Sequence, residues 1–288
     1  MYFIVVIIYL DQDLSFSNFI DFITKSDLFS LKNILFLSIF TFFNWFLEIK
    51  KWQNLVKSIQ NISFFDATKQ SLSSLTFSLI TPNRIGEYGA KALYYKKEKR
   101  KKILFLNFAG NFYQLLVTLL LGILGILYLP NYYNHLGITT EWIILIILSV
   151  FIIFILARFL SKKIKWLQKV KDFWKLQNNQ LIIVLSLLRY LIFSHQFYFL
   201  LMIFDVDISY FNAMACITSM YFISSIVPML SLFDVVLKGS VSLFVFSWLG
   251  YVSPTAILVT VSLMWILNFA IPSIIGSYFV LKFKPQKR

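Results

Sequence analysis

Long apolar runs separated by short charged blocks organise this chain. Runs over residues 31–47, 103–129, 142–156, 181–204 and 254–281 predict helices, several of them approaching or exceeding the roughly 20 residues that cross a bilayer. Met1 to Leu10 is apolar but short. It lacks the basic flank and small-residue cleavage site of a signal peptide, and reads as a shortened, membrane-embedded first span with Met1 lying inside the helix. Two further stretches, 65–95 and 209–250, are apolar but broken by Pro82 and Pro228. Proline has no N–H to donate and restricts the residue before it, so each stretch predicts two helical legs with a break between them.

The charged blocks orient these elements. Asp11, Asp13, Asp21 and Asp27, opposed only by Lys25, predict an outside loop, and the cluster from Glu48 through Lys50, Lys51 and Lys57 predicts an inside one. The Lys96–Lys102 block is also inside, so the stretch between must dip in and return. Its first leg, about 16 residues, reaches about 24 Å at 1.5 Å per residue, short of roughly 30 Å of hydrocarbon. A re-entrant hairpin with its tip near Thr81 and Pro82 is expected. The basic loop containing Arg158, Lys162, Lys163, Lys165, Lys169, Lys171 and Lys175 is again inside, as is the C-terminus with Lys282, Lys284, Lys287 and Arg288. Asp205 and Asp207 lie outside, which makes 209–250 a second hairpin entering from the opposite face.

Composition agrees with this reading. Hydrophobic residues make up 59% of the 288 and charged ones 14%, with a mean hydropathy of +0.75 that a soluble fold would struggle to bury. A net charge of +14 could suggest nucleic acid, but the basic residues flank apolar runs as topology signals do, so no nucleic-acid partner is expected. Cys216 is alone and His135 and His195 stand far apart, which supports neither an intramolecular disulfide nor a metal site. No cofactor or catalytic residue is expected.

The two halves match. Pro82 and Pro228 are 146 residues apart, while Glu87 and Asp234, and Lys91 and Lys238, are each 147 apart. Each half reads as span, span, broken hairpin with an acid and a base four apart, then a long span. The expected fold is therefore all-α, a single integral membrane domain over 1–288. It is a polytopic helix bundle of two inverted-topology repeats, about 1–130 and 141–281, each with a proline-broken re-entrant helical hairpin. Pro82 and Pro228 should approach each other within the membrane from opposite sides.

Charges at membrane depth are expensive and mark candidate sites. Arg84, Glu87 and Lys91 recur at three and four and share a helical face. Asp234 and Lys238 repeat the pattern, and Arg189 lies about eight residues inside a span, where its expected partners are Glu87, Asp234 or an anionic headgroup. Asn44 and Glu48 share one face near the inner end of an early span. Asn107, Asn111 and Gln114 form a stripe, Gln196 shares a face with Arg189, and Asn268 precedes Pro272 and Gly276. Helix-to-helix hydrogen bonding accounts for the amides as well as function does.

The segments NWFLEIKKW at 44–52, TPNRIGEYGAKA at 81–92 and VPMLSLFDVVLKGS at 227–240 resemble the membrane domain of lysylphosphatidylglycerol synthases, within the wider group of flippase-like integral membrane proteins. Asn83 stands where a glycine is common there, and Lys238 where many relatives have arginine. The resemblance implies lipid handling, with transfer of a modified phospholipid between leaflets as the best-known role. This chain ends about seven residues after its last apolar run, without the soluble aminoacyl-transferring domain, so lysyl transfer is not expected of it.

The expected function is to move or bind a phospholipid or lipid-linked headgroup in a polar groove between the hairpins. Arg84, Lys91, Arg189 and Lys238 would face phosphate, while Glu87 and Asp234 balance their charge. No nucleotide-binding motif is present to drive the step. Membrane lipids are the expected partners and the cytoplasmic (inner) membrane of a bacterium the expected location. Two alternatives stand beside this: a membrane-embedded transferase using Glu87 or Asp234 as base, and a non-transporting scaffold bound to a lipid-modifying enzyme.

Overall fold

The computed structural model describes residues 16–82, 84–129, 179–247, 249 and 253–283. In chain order its helices are α1 (Phe16–Lys25), α2 (Leu31–Val56), α3 (Phe64–Ser78), α4 (Ile85–Leu93), α5 (Lys97–Tyr128), α6 (Asn179–Ile203), α7 (Tyr210–Ile226), α8 (Asp234–Ser247), α9 (Pro254–Trp265) and α10 (Ile271–Leu281). A π-helical turn, Ile266–Ala270, joins α9 to α10. No strand occurs among the described residues, and the chain is an all-α polytopic helix bundle. Its helices α2, α5 and α6 and the continuous Pro254–Leu281 are each long and apolar enough to cross a membrane. The expected spans at 1–10 and 142–156, the basic loop at 158–175, His135 and the end of the basic tail lie outside the described residues.

Two boundaries differ from expectation. Helix α2 does not stop at Leu47 but runs nine residues further to Val56, carrying Glu48 and Lys51 into the interior. The acidic stretch taken for a loop contains α1, whose Phe22 ring packs at a tilt against Phe204, with ring centres 5.3 Å apart. In α2 tertiary partners that sequence spacing cannot reveal bury charged residues that look solvated, whereas at α1 Asp21 and Asp27 stay exposed and only apolar residues such as Phe22 pack inward.

The proline breaks fall as expected. In the first hairpin α3 ends at Ser78 and α4 begins at Ile85; in the second, α7 ends at Ile226 and α8 begins at Asp234 after a 3-10 turn over Ser231–Phe233. The two breaks meet, with Pro82 pairing to Leu230 in an isolated antiparallel bridge. Extended backbone from the two hairpins thus lies side by side where proline has interrupted each helix.

Each hairpin's first leg packs against the long terminal span of the other half, α3 on α10 and α7 on α5, while α2 packs on α6. Small residues permit these approaches. A Cβ at Gly276 would collide with the Leu72 carbonyl and Thr76 Oγ1, and a Cβ at Gly122 with Phe222 and the Thr218 carbonyl. Leu72 and Thr218, like Thr76 and Phe222, are 146 residues apart, the same interval as Pro82 and Pro228. Close glycine contacts of this kind suit a bilayer, where van der Waals packing rather than hydrophobic burial joins helices. Thr76 Oγ1 also donates to the Ser273 carbonyl at 2.8 Å. Gly276→Val should therefore cost roughly 1–3 kcal/mol or more through overpacking. By contrast Gly89→Ala, where a Cβ meets nothing within 4 Å, should be neutral or slightly stabilising. Unfolding midpoints of the detergent-solubilised variants, followed by circular dichroism, check the contrast, and equal midpoints would refute the packing assignment.

The largest apolar cluster joins α6, α7, α8 and α9 through Phe197, Leu200, Cys216, Ile217, Met220, Phe246 and Ile257. A second gathers Trp52, Val56, Ala67, Tyr95, Ile103 and Leu106. Many large apolar side chains point outward, among them Leu281, Ile274, Phe211 and Leu120, as a lipid-facing perimeter requires.

Candidate functional site

The first hairpin turns on local chemistry. After Pro82 the chain reaches Arg84 in the left-handed region at φ 58°, a conformation costly for a residue with a side chain. The turn is held by Ile85 N–H donating to the Pro82 carbonyl at 3.1 Å and by Gly86 N–H donating to Thr81 Oγ1 at 2.8 Å. Gly86 lies so close to the Phe77 carbonyl that a Cβ would strike it. The sharp reversal sets Arg84 just ahead of α4, with its Nε 3.5 Å from Glu87 Oε2.

Within α4 the spacing of four does what the sequence predicts. Lys91 Nζ donates to Glu87 Oε1 at 2.8 Å, and both side chains are buried. The same ammonium donates to Asn107 Oδ1 at 2.8 Å and stands 4.4 Å from the centre of the Trp52 ring. Trp52 is fixed in turn, because its indole N–H and the Tyr95 hydroxyl both donate to Gln70 Oε1 at 2.8 Å.

A second group of charges lines α2. Glu48 Oε2 pairs with Lys51 Nζ at 2.7 Å and accepts from Arg189 Nη1 at 2.8 Å. Arg189 Nε donates to Asn44 Oδ1 at 2.9 Å, Asn44 Nδ2 to Asn268 Oδ1 at 2.7 Å, and Asn268 Nδ2 to Gln196 Oε1 at 2.8 Å. Gln196 Nε2 closes the chain on Thr41 Oγ1 at 3.0 Å and the Leu37 carbonyl. This relay crosses α2, α6 and the π turn. Pro272 cannot donate to the Asn268 carbonyl four residues earlier, and the Trp45 indole N–H takes that acceptor at 3.1 Å.

The two groups adjoin, since the Trp52 ring under Lys91 belongs to α2 and directly follows Lys51. Arg84, Glu87, Lys91 and Asn107 therefore come together with Asn44, Glu48, Arg189, Gln196 and Asn268. Arg189 corrects one expectation: its protein partners are Glu48 and Asn44, not Glu87 or Asp234, because α6 packs along α2 and presents that face to it. Asn111 and Gln114 serve helix packing, donating to the Tyr88 hydroxyl at 3.2 Å and to the Ser186 carbonyl at 3.3 Å.

Asp234 and Lys238 pair with each other at 2.6 Å and are about a third exposed, with Lys238 Nζ 5.6 Å from the Tyr221 ring. They repeat the spacing of Glu87 and Lys91 but not their burial. Sequence reasoning missed Lys51, Trp52, Gln70 and Tyr95 as parts of the site. A signal for Lys51 was present, since Asn44, Glu48 and Lys51 recur at four and three on one helical face.

A family model described as the lysylphosphatidylglycerol synthase TM region matches residues 2–280. Neither a curated protein nor a solved structure matches the chain.

Proposed function

Because the chain belongs to the lysylphosphatidylglycerol synthase TM region family, a family of integral membrane proteins involved in lipid handling, we propose that it binds a membrane lipid and moves it between leaflets. The headgroup enters the polar groove beside the first hairpin while the acyl tails stay in the bilayer. The observation that carries this reading is the largely buried cluster of Glu87, Lys91, Glu48, Lys51 and Arg189, with the partly exposed Arg84 at its edge, set among membrane-crossing helices. An interior built only for packing has little use for five charged side chains, since well-packed apolar residues of similar volume serve stability as well or better.

The halves are inverted repeats in this proposal, which is supported by the reciprocal packing of α3 on α10 and α7 on α5 and by the recurrence of the 146-residue interval. Rocking of one half against the other about the paired breaks would alternate access. The protein works without covalent chemistry or cofactor, in the bacterial cytoplasmic membrane with its C-terminus inside, and membrane lipids are its partners.

Reconstitution in liposomes tests the reading. The wild-type protein should speed translocation of labelled phospholipids, and Arg84→Ala, Glu87→Ala and Asp234→Ala combined should return the rate to the protein-free background. A folded triple variant that moves lipid at the wild-type rate would refute it.

A further inference from the structure

The Lys91 ammonium is held from three helices at once. Its own helix α4 supplies Glu87 at 2.8 Å, and α5 supplies Asn107, also at 2.8 Å. From α2 comes the Trp52 ring, whose centre lies 4.4 Å from Nζ. The first two contacts take two of the ammonium's three N–H groups. An indole face attracts a cation more strongly than any other aromatic side chain, and most strongly where water is excluded. Water is excluded here, for Trp52 is 1% exposed and Lys91 2%.

A ring can do this only while it stays beside the ammonium, and one amide fixes it there. Gln70 Oε1, on α3, accepts from the Trp52 indole N–H at 2.8 Å and from the Tyr95 hydroxyl at 2.8 Å. Both lone pairs of that oxygen are thereby used. Gln70 and Tyr95 are buried, so solvent does not compete for either donor. Gln70 thus joins the first leg of the hairpin, the end of its second leg and α2 at a single atom. At the corresponding place in the second hairpin, 146 residues after Gln70, stands Cys216. Lys238, 147 after Lys91, lies 5.6 Å from the centre of the Tyr221 ring with 31% of its side chain exposed. The anchoring belongs to the first hairpin and not to the repeated charge pair.

Resting on the lipid-moving reading above, we infer that Trp52 is a positioning residue of that site, acting through Lys91, and that Gln70 positions Trp52. The ring keeps the ammonium on Glu87 Oε1. Arg84 is thereby left free, its Nε 3.5 Å from Glu87 Oε2 without a hydrogen bond and its side chain 40% exposed at the hairpin tip. Without the ring, one N–H of a buried ammonium loses its partner, a cost that draws Lys91 away from the carboxylate. Glu87 then turns to Arg84, and the arginine that meets a headgroup is captured by its own helix.

The test replaces Trp52 alone by its mono-, di-, tri- and tetrafluoro analogues in the full chain, reconstituted in liposomes with fluorescent phosphatidylglycerol. Fluorine withdraws electron density from the ring face but keeps the indole N–H and nearly the same shape, so the cation contact weakens while packing changes little. Per folded protein, translocation should slow with each added fluorine, by about tenfold over the series. In a Gln70→Leu background, where the ring has lost its anchor, the whole series should stay within about twofold. A flat series in the otherwise wild-type chain overturns the inference and spares the reading beneath it, because a ring that only packs is indifferent to the charge of its face. A series as steep with Gln70→Leu as without it overturns the role of Gln70. Should Gln70→Leu not fold, the fluorine series still decides the role of Trp52. Failure of the unsubstituted protein to move lipid removes the reading on which the inference rests.

Discussion

Replacing Glu48 by alanine is expected to produce the largest loss of stability of any single change in the polar interior. One oxygen, Glu48 Oε2, neutralises both Lys51 at 2.7 Å and Arg189 at 2.8 Å, and neither cation has another carboxylate as a direct partner among the described residues. Alanine leaves both buried and unpaired. Breaking a buried ion pair by removing one partner costs roughly 3–5 kcal/mol. For a chain of this size that corresponds to an unfolding midpoint lower by about 10 °C. The combination Glu48→Gln with Lys51→Met should recover much of the loss, because one buried ion leaves with its partner and the amide oxygen still accepts from Arg189. Thermal unfolding in detergent measures both. If Glu48→Ala unfolds at the wild-type midpoint, Glu48 is not the counter-ion shown here.

The second large effect concerns movement at the paired breaks. Opposed residues of an antiparallel pair have Cα atoms about 4.5–5.5 Å apart, within the span a disulfide bridges. Cysteines at Pro82 and Leu230, introduced with Cys216→Ala, should therefore cross-link the hairpin tips under mild oxidation. If rocking of the halves about this contact carries the lipid, the oxidised protein should move lipid at the protein-free rate, and reduction should restore transport. A fully cross-linked protein that transports as fast as the reduced one would rule out separation of the tips as part of the cycle. A gel shift of proteolytic fragments reports the cross-link independently of transport.

These expectations rest on features that differ in how far they show in the sequence. Pro82 and Pro228 were legible because a missing N–H and a restricted neighbour break a helix wherever they occur. The Glu87–Lys91 and Asp234–Lys238 pairs were legible because partners four apart on a helix meet by geometry alone. Glu48 shows in the sequence as a candidate beside Asn44, but its depth and that of Lys51 do not, for the opposite reason. Their burial depends on Arg189, 141 residues from Glu48, and without that partner a charged cluster ending an apolar run looks like a membrane boundary. The mate of Arg189 was likewise invisible, since many acids could have faced it and only the packing of α6 on α2 selects one. Asn107 could be weighed only as packing or function until Lys91 was seen to donate to it.

The wide turn over Ile266–Ala270 has an evolutionary and engineering consequence. A π turn holds one residue more than α-helical winding needs over the same rise, so it behaves as a tolerated single-residue insertion. Deleting one residue from this segment should let the helix rewind without shortening its path to Gly276. The deletion would also rotate Asn268 by about 100° relative to one flank of the helix, the angle of one residue at 3.6 per turn. Asn44 and Gln196 would lose their shared partner and Trp45 its carbonyl. A one-codon deletion is thus available at this point as a register switch, one that keeps the span and uncouples the last helix from the charged interior.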